Sequence, residues 1–194
     1  MMPSFAVFLD RDNTLIFDPP PGYLADPDKV QLLPGVVEGL KLLLNHQFKL
    51  IIISNQSGIA RGILTHEQVI AVNNKLLSLL KKENISLTDI MYCPHHPEFS
   101  SASEVECRKP SPKMIFEAAE KHSIDLRNSY IIGDSFSDIK CGNNAGIKSV
   151  LVKITLSDEE INNLKKEVKS LNFVAGNFLE ACKFIAADFT EENS

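Results

Sequence analysis

Three aspartates occur at positions that suit a bound divalent metal ion. Asp10 and Asp12 lie two residues apart in "DRDNT", so an extended chain can point both carboxylates toward one side. Such a pair repels unless a cation or a proton lies between the two groups. Asp134, in "GDSFSD", supplies a further carboxylate, and Mg²⁺ prefers hard oxygen ligands of this kind. One Asp alone would be explained as well by a capped turn or helix start, but the set favours a magnesium site.

A second group of residues could bind a phosphate group. The segment "SNQSG" from Ser54 offers a hydroxyl and backbone N–H groups, and a helix N-terminus near Gly58 would favour an anion. Lys109 could neutralise charge on a phosphate or on a carboxylate nucleophile. An Asp carboxylate can itself attack phosphorus and form an aspartyl phosphate that water later opens. Taken alone, Lys109 would be explained better as a solvated surface lysine.

These residues must be positioned by a regular fold. Apolar strand-like runs alternate with segments of helical period, which predicts an α/β fold with a doubly wound, Rossmann-like, mostly parallel sheet and helices on both faces. Strands are predicted at 5–9, 49–53, 89–93, 129–133 and 148–152, with a possible edge strand at 173–175. Ligands of such sheets bind outside the carboxyl ends of the strands, and the polar clusters follow the first, second and fourth strands.

Helix boundaries are predicted from capping signals. Thr65 with Gln68, and Ser157 with Glu160, have the spacing of capping boxes. Ser111 followed by Pro112 is typical of an N-cap and a first helical residue. Further helices are predicted from Pro34, at about 137–144 and at 177–187, and the tail 190–194 is predicted to be frayed.

Length and composition are those of one globular domain, placed at residues 1–189 of the 194. The net charge of −5 and the lack of a basic run argue against nucleic acid or an anionic membrane as partner. No apolar run approaches the ~20 residues of a membrane span, and no signal peptide is visible. Four unevenly spaced cysteines do not suggest a disulfide framework, so we expect a cytoplasmic protein, and a monomer because few exposed apolar stretches are predicted.

Four segments together resemble a known superfamily. "FLDRDNTL", "SNQSGIARG", "RKP" and "GDSFSD" are similar, in this order, to the four motifs of the haloacid dehalogenase superfamily of phosphohydrolases. The match spans roughly residues 4 to 152. Within the superfamily, "SNQSGIARG" and "CPHHP…CRKP" resemble the D-glycero-D-manno-heptose-1,7-bisphosphate phosphatases and the related histidinol-phosphate phosphatases.

The resemblance implies a catalytic role for each matching residue. Asp10 would be the nucleophile that takes the phosphoryl group. Asp12 would be the general acid for the leaving group and then the base for the attacking water. Lys109 would steady Asp10 and the phosphoryl charge. Mg²⁺ would be held by the Asp10 side chain, the Asp12 backbone carbonyl and Asp134, with Asp138 as a supporting acid.

The resemblance also implies residues that bind the substrate. Ser54 and Asn55 would contact the transferring phosphoryl group. Arg108 and Arg61 are candidates for gripping the rest of the substrate, since an Arg fork suits a second phosphate or sugar oxygens. For Arg61 a helix-surface charge is an equal alternative. Asn13 replaces the Gly that is common in the first motif, and Asn is the non-Gly residue that best tolerates the left-handed conformation expected there.

The segment 93–109 raises the question of zinc. In the similar phosphatases it carries structural zinc on Cys-x-His and Cys-x-Cys, and here Cys93, His95 and Cys107 match while Val105 stands at the remaining ligand position. Structural zinc normally has four protein ligands. The loop could therefore fold without metal, bind zinc weakly, or complete the site with another ligand, for which the candidates are His96, Glu104, Glu106 or water.

The sequence predicts an open active site, because no insertion is long enough for a large cap domain. The favoured function is a Mg²⁺-dependent phosphatase of a small phosphorylated sugar, with heptose bisphosphate first and histidinol phosphate second. A polynucleotide 3′-phosphatase is disfavoured by the acidic balance. A non-catalytic phospholigand-binding module would be signalled by loss of the acidic residues or Lys109, and all of them are present.

Overall fold

A computed structural model describes residues 4–20, 22–153 and 157–192. Six strands form one sheet in the order β3-β2-β1-β4-β5-β6, and every neighbouring pair is parallel. The strands are β1 Ala6–Leu9, β2 Lys49–Asn55, β3 Asp89–Cys93, β4 Tyr130–Gly133, β5 Lys148–Val152 and β6 Leu171–Ala175. All six predicted strands are present, and the doubly wound α/β fold is confirmed.

Helices cover both faces of this sheet. They are α1 Val36–Asn45, α2 His66–Lys82, α3 Lys113–His122, α4 Phe136–Ala145, α5 Asp158–Glu167 and α6 Phe178–Glu192. In β1, alternate side chains enter different cores, as the period of two along a strand requires. Val7 packs in the core shared with α1, α2 and α6, whereas Phe8 packs in the core shared with α3 and α4. Burial on both faces explains why the central strands are continuous apolar runs.

The predicted capping boxes are confirmed at two helices. The Thr65 hydroxyl accepts the backbone N–H of Gln68 while the Gln68 side chain accepts the N–H of Thr65, which begins α2. Ser157 and Glu160 make the same reciprocal pair at α5. Each pair satisfies two N–H groups that have no partner inside the helix.

Two helix boundaries differ from their predictions. Helix α3 begins at Lys113, one residue later than the predicted Pro112, and the Ser111 hydroxyl still accepts the backbone N–H of Lys113 at 3.3 Å, as expected of a capping residue. Helix α6 continues to Glu192, so the residues from Thr190 to Glu192 are helical rather than frayed. The Thr190 hydroxyl donates to the Ala186 carbonyl, and Phe189 contacts the rings of Phe5 and Phe48, which ties this last turn to the core.

The connection between β1 and α1 contains a single 3₁₀ turn, Pro27–Lys29, among its described residues. The connection between β2 and α2 likewise contains no further helix or strand. Neither forms a separate layer, in agreement with the prediction that no large cap domain is present. Across the described ranges, no helix combines the length and apolar character that a membrane span requires.

Candidate active site

The carboxyl ends of β1, β2 and β4 lie side by side at the centre of the sheet, since β1 pairs with both of the others. The loops that follow them therefore meet at one edge, as the strand order predicts. They enclose an open cavity of about 240 Å³, lined by Asp10, Asp12, Asn13, Asn55, Arg108, Lys109, Asp134, Ser135 and Ser137. Both serines were missed by the sequence analysis, although "GDSFSD" contains them.

Lys109 lies at the base of this cavity and is 3% exposed. Its ammonium Nζ is 2.6 Å from Asp10 Oδ1 and 2.5 Å from Asp138 Oδ1, and it also donates to the Ile53 carbonyl at 2.9 Å. The backbone of Lys109 is anchored to β2 by two hydrogen bonds with the Asn55 side chain. The alternative of a solvated surface lysine is therefore wrong, and Lys109 contacts the predicted nucleophile directly.

Burial and neighbouring charges shift the pKa values of Lys109 and the carboxylates around it. Burial raises the pKa of Asp10 well above its usual range, opposed by Lys109 and reinforced by Asp138. Burial raises the pKa of Asp134 to about 7, and the Asp138 carboxylate adds to this shift. Burial alone would lower the pKa of Lys109, but Asp10 and Asp138 raise it above its usual value, so the ammonium stays charged.

Asp10, Asp134 and Asp138 form a cluster suited to a metal ion, with ligand oxygens within 4.8 Å of one another. Once ionised, the three carboxylates carry two more negative charges than Lys109 neutralises. A divalent cation would cancel this excess, and Mg²⁺ accepts such hard oxygens. The donor set thus fits the predicted ion. The Asp12 side chain is not part of the cluster, and the contribution predicted for Asp12 is its backbone carbonyl.

Asp138 contributes more than the supporting role expected of it. Its Oδ1 accepts from Lys109, while its Oδ2 accepts from the backbone N–H and the hydroxyl of Ser135. These bonds also form the capping box that begins α4. The same carboxylate therefore fixes the start of a helix and orients the lysine beside Asp10.

The predicted general acid, Asp12, has both carboxylate oxygens engaged. Arg11 Nε and Nη2 each lie 3.0 Å from one of its oxygens, and Gln56 Nε2 donates to Oδ2 at 2.6 Å. Neither Arg11 nor Gln56 was assigned a role from the sequence, although both lie inside the quoted motifs.

The two residues predicted to contact the phosphoryl group, Ser54 and Asn55, differ in their access to the cavity. Asn55 lines the cavity, whereas Ser54 is 2% exposed and its hydroxyl accepts from Gln56 Nε2 at 2.8 Å. Arg108 lines the cavity. Burial lowers the pKa of the Arg108 guanidinium, Tyr23 opposes the shift, and the positive charge of Arg61 adds to it.

Arg61 is exposed and lies at the rim, where it contacts the segment 93–109. Its Nη2 is 2.7 Å from His96 Nε2, and its guanidinium lies 5.7 Å from the centre of the Phe99 ring. The alternative of a helix-surface charge is wrong, because Arg61 lies in the turn that follows β2 and joins that turn to this segment. Its charge also lowers the pKa of Arg108, so the two guanidinium groups repel each other.

The zinc interpretation is not supported. The sulfurs of Cys93 and Cys107 form a disulfide, and sulfurs in a disulfide carry no thiolate for a metal. His95 Nδ1 is 3.2 Å from the Ser100 hydroxyl instead of facing a sulfur. Among the residues that the structure covers, the aspartate cluster is the one group of three or more potential ligands. The expectation that the cysteines stay unpaired is corrected for this pair, and Cys141 and Cys182 are free.

Asn13 has the left-handed conformation predicted for it, with φ of 55°. Its side-chain oxygen accepts the N–H of Asp18, whose carboxylate accepts the N–H groups of Tyr23 and Leu24. The loop that contains Tyr23 is thereby fixed to the first motif. A Cβ on Gly58 would lie 2.6 Å from the Tyr23 ring, so this loop packs closely on the residues that follow β2.

Comparison with known proteins agrees with this geometry. A family model described as HAD-hydrolase-like matches residues 106–181. A D-glycero-beta-D-manno-heptose-1,7-bisphosphate 7-phosphatase from Yersinia pestis is 40% identical over 152 residues, 76% of this chain and 80% of that protein. A D-glycero-alpha-D-manno-heptose-1,7-bisphosphate 7-phosphatase from Photorhabdus laumondii is 37% identical over 150 residues, 75% of this chain and 81% of that protein.

Solved structures share the fold. A D,D-heptose 1,7-bisphosphate phosphatase from B. bronchiseptica, in complex with magnesium and phosphate, has a TM-score of 0.80 at 24% identity, over 95% of this chain and 99% of that one. The chain belongs to the haloacid dehalogenase superfamily of hydrolases and is a phosphatase. Within the superfamily it is similar to the heptose-1,7-bisphosphate 7-phosphatases, which confirms the resemblance found in its motifs.

Proposed function

We propose that this phosphatase hydrolyses a small sugar phosphate through an aspartyl-phosphate intermediate, with D-glycero-D-manno-heptose 1,7-bisphosphate as the favoured substrate. The observation that carries the chemistry is Lys109 Nζ at 2.6 Å from Asp10 Oδ1 in a buried, acidic cavity. The similarity to heptose bisphosphate phosphatases supports the substrate.

The reaction has two steps. In the first, a carboxylate oxygen of Asp10 attacks phosphorus, the bond from phosphorus to the sugar oxygen breaks, and Asp12 gives its proton to that oxygen. In the second, a water attacks phosphorus while Asp12 takes its proton, and the bond to Asp10 breaks to release phosphate. We propose that Lys109 and Asn55, which both line the cavity, contact the phosphoryl oxygens.

We propose Mg²⁺ as the cofactor, held by the side chains of Asp10 and Asp134 and the backbone carbonyl of Asp12. When bound, the ion offsets the negative charge that the phosphoryl group brings into the cavity. The charge excess of the aspartate cluster supports this proposal. Asp138, engaged by Lys109 and Ser135, would orient Lys109 from beside the ion.

The cavity has no cap domain, so its rim must select the substrate. Arg108 at the cavity and Arg61 at the rim present two guanidinium groups, which suit a second phosphate on the sugar. Histidinol phosphate, which has a single phosphate, would leave this pair of cations less well matched. We therefore rank it second, and a polynucleotide phosphate lower because the chain carries a net charge of −5.

The chemistry is tested with p-nitrophenyl phosphate and Mg²⁺, comparing wild type with Asp10→Asn. We expect hydrolysis by wild type and background rates for the variant, because an amide is a poor nucleophile. Wild type that releases no more p-nitrophenolate than Asp10→Asn would refute the proposed chemistry.

The substrate is tested by phosphate release from both anomers of heptose bisphosphate, histidinol phosphate, a 3′-phosphorylated oligonucleotide and several sugar monophosphates. We expect the highest kcat/KM for a heptose bisphosphate. An Arg108→Ala variant should lose most of the wild-type preference, in kcat/KM, for bisphosphate over monophosphate. If simple monophosphates are hydrolysed equally well by wild type, the substrate assignment is wrong.

We also propose that the protein acts as a monomer. Its large exposed apolar side chains among the described residues are spread over several segments, namely Phe17, Ile63, Ile70, Leu77, Phe99 and Phe116. Light scattering after size exclusion should give a mass near 21.5 kDa. A mass of twice this value would contradict the proposal.

A further inference from the structure

The carboxylate of Asp12 is held from two sides. The Arg11 guanidinium meets it with two nitrogens in the forked arrangement that fixes a carboxylate plane, and Gln56 Nε2 bonds Oδ2 from the β2 loop. The side chain of Asp12 is 21% exposed, and it borders the cavity. Its orientation toward a bound substrate is therefore set by Arg11 and Gln56.

Arg11 is held in turn by a residue on α2. Its side chain is 2% exposed, and its remaining Nη1 donates to Asn73 Oδ1 at 2.7 Å. Asn73 is itself 7% exposed and lies 62 residues from Arg11 in sequence. All three guanidinium nitrogens thus have partners, and the position of the fork depends on the side chain of a helix that contributes nothing else to the cavity.

We propose that Asn73, Arg11 and Gln56 form a positioning chain that fixes the carboxylate of Asp12 for proton transfer to the leaving group. The inference rests on the proposed function, because it assigns these residues to the step in which Asp12 acts as general acid. None of the three needs to touch substrate. Their contribution is the placement of Asp12, and small displacements of an acid or base strongly reduce its rate contribution.

The positioning chain is tested by comparing two substrates that differ in their leaving groups. A sugar alkoxide needs a proton as its bond to phosphorus breaks, whereas p-nitrophenolate is a stable anion and needs little help. Asn73→Ala should lower kcat/KM for the best sugar phosphate about 10- to 100-fold, but lower kcat/KM for p-nitrophenyl phosphate by less than about threefold. The comparison uses kcat/KM because it reports the step in which the leaving group departs, whereas kcat also contains the water attack that both substrates share. General damage to the fold would reduce both rates alike.

Control variants make the comparison specific. Asn74→Ala changes the next, exposed residue of the same helix and should leave both rates unchanged. Asn73→Asp keeps an acceptor for Arg11 and should restore most of the sugar phosphate rate. If Asn73→Ala does not fold, Gln56→Leu tests the other side of Asp12 and should show the same selectivity.

The outcomes separate this inference from the proposed function. Equal losses on both substrates, or no loss on either, would overturn the positioning chain while leaving an active wild-type enzyme. Wild type that hydrolyses neither substrate would refute the proposed function, and the positioning chain with it. A selective loss on the sugar phosphate, rescued by Asn73→Asp, supports the chain.

Discussion

At the residue scale, the site is an arrangement of buried charges with one lysine among several carboxylates. Lys109 contacts Asp10 and Asp138 at hydrogen-bond distance, and its backbone is fixed by Asn55. Charge-assisted bonds in a buried site are stronger than those in water, and a buried charge without its partner is costly. Lys109 therefore both holds Asp10, the proposed nucleophile, in place and makes its burial possible.

Replacing this lysine should abolish most activity. Lys109→Met keeps the length of the side chain but removes the charge that faces the developing phosphoryl charge, so we expect kcat/KM to fall about 100- to 1,000-fold. The measurement is hydrolysis of p-nitrophenyl phosphate with Mg²⁺. Lys113→Met is the matched control, because its ion pair with Glu106 is exposed on both sides and contributes little. Activity of Lys109→Met close to that of the control would contradict the role of the lysine.

A second prediction concerns the hydroxyl of Thr14. This oxygen is buried, and among the described residues it is the one buried side-chain polar atom without a hydrogen-bond partner. Thr14→Val replaces it with a methyl of similar shape, so unfolding free energy should rise by about 1 kcal/mol. Thr65→Val is the control in the opposite direction, because it removes a capping bond and should cost about 1 kcal/mol. Urea unfolding measures both, and a destabilised Thr14→Val would show that the hydroxyl has a partner in solution.

Single residues also show what sequence reasoning can and cannot reach. Asp10, Asp134 and Lys109 were identified because a motif fixes the type and spacing of each residue. The left-handed Asn13 followed from a backbone preference that belongs to one residue. The contact between Arg11 and Asn73 could not be found in this way, because it joins residues 62 positions apart and depends on how α2 packs on the sheet.

At the scale of elements, strands were easier to predict than helix starts. A strand buried on both faces needs a continuous apolar run, which the sequence shows directly. Capping boxes were recognised where Ser or Thr stands three residues before Gln or Glu, but α4 uses Asp138 in the same way and was placed a residue late. Helix α3 begins at Lys113, one residue after the predicted Pro112, although the Ser111 hydroxyl accepts the Lys113 N–H as a capping residue does.

The segment 93–109 is the element whose chemistry stayed open at the level of sequence, where folding without metal was one of the alternatives. Its cysteines have the spacing expected for zinc ligands, but spacing does not distinguish a metal site from a disulfide. In the folded structure Cys93 ends β3, and Cys107 lies two residues before Lys109, with their Cα atoms 5.4 Å apart. The disulfide therefore holds the end of an edge strand against the residues that lead to Lys109.

Thiol titration tests this pairing. Folded protein should react little, because Cys141 and Cys182 are buried and burial raises the pKa of Cys141 to about 12. Protein unfolded without reductant should show two thiols, and protein reduced first should show four. Reduction should also lower the unfolding free energy by about 3 kcal/mol, as expected for a closed loop of this size. Four thiols without reductant, together with released zinc, would instead establish a metal site.

At the scale of the whole molecule, the carboxylates that the proposed function needs also lower the stability of the fold. The fold brings Asp10, Asp134 and Asp138 together at the ends of two neighbouring strands, although each prefers to be ionised in water. Without a cation their repulsion and burial oppose folding, and a bound divalent ion would reverse both effects. The unfolding of the whole chain therefore reports on the metal site.

The stability of chelator-treated protein should fall as the pH rises from 5 to 8. Burial raises the pKa of Asp134 from 3.8 in a model compound to about 7, so the folded state retains a proton that the unfolded state loses at lower pH. The stability from this group is complete below about pH 4 and is lost as pH passes 7, by at most about 4 kcal/mol. Carboxylates whose pKa values are lowered, such as Asp89, are ionised throughout this range and contribute no opposing slope.

Thermal unfolding should show a decrease in Tm on the order of 2–4 °C for each kcal/mol of lost stability. Added Mg²⁺ should restore the loss, raising Tm more at pH 8 than at pH 5. Asp134→Asn is the matched control and should flatten the slope and weaken the response to Mg²⁺. If the chelated wild type is equally stable at both pH values, the pKa of Asp134 is not raised in the folded state and the prediction is wrong.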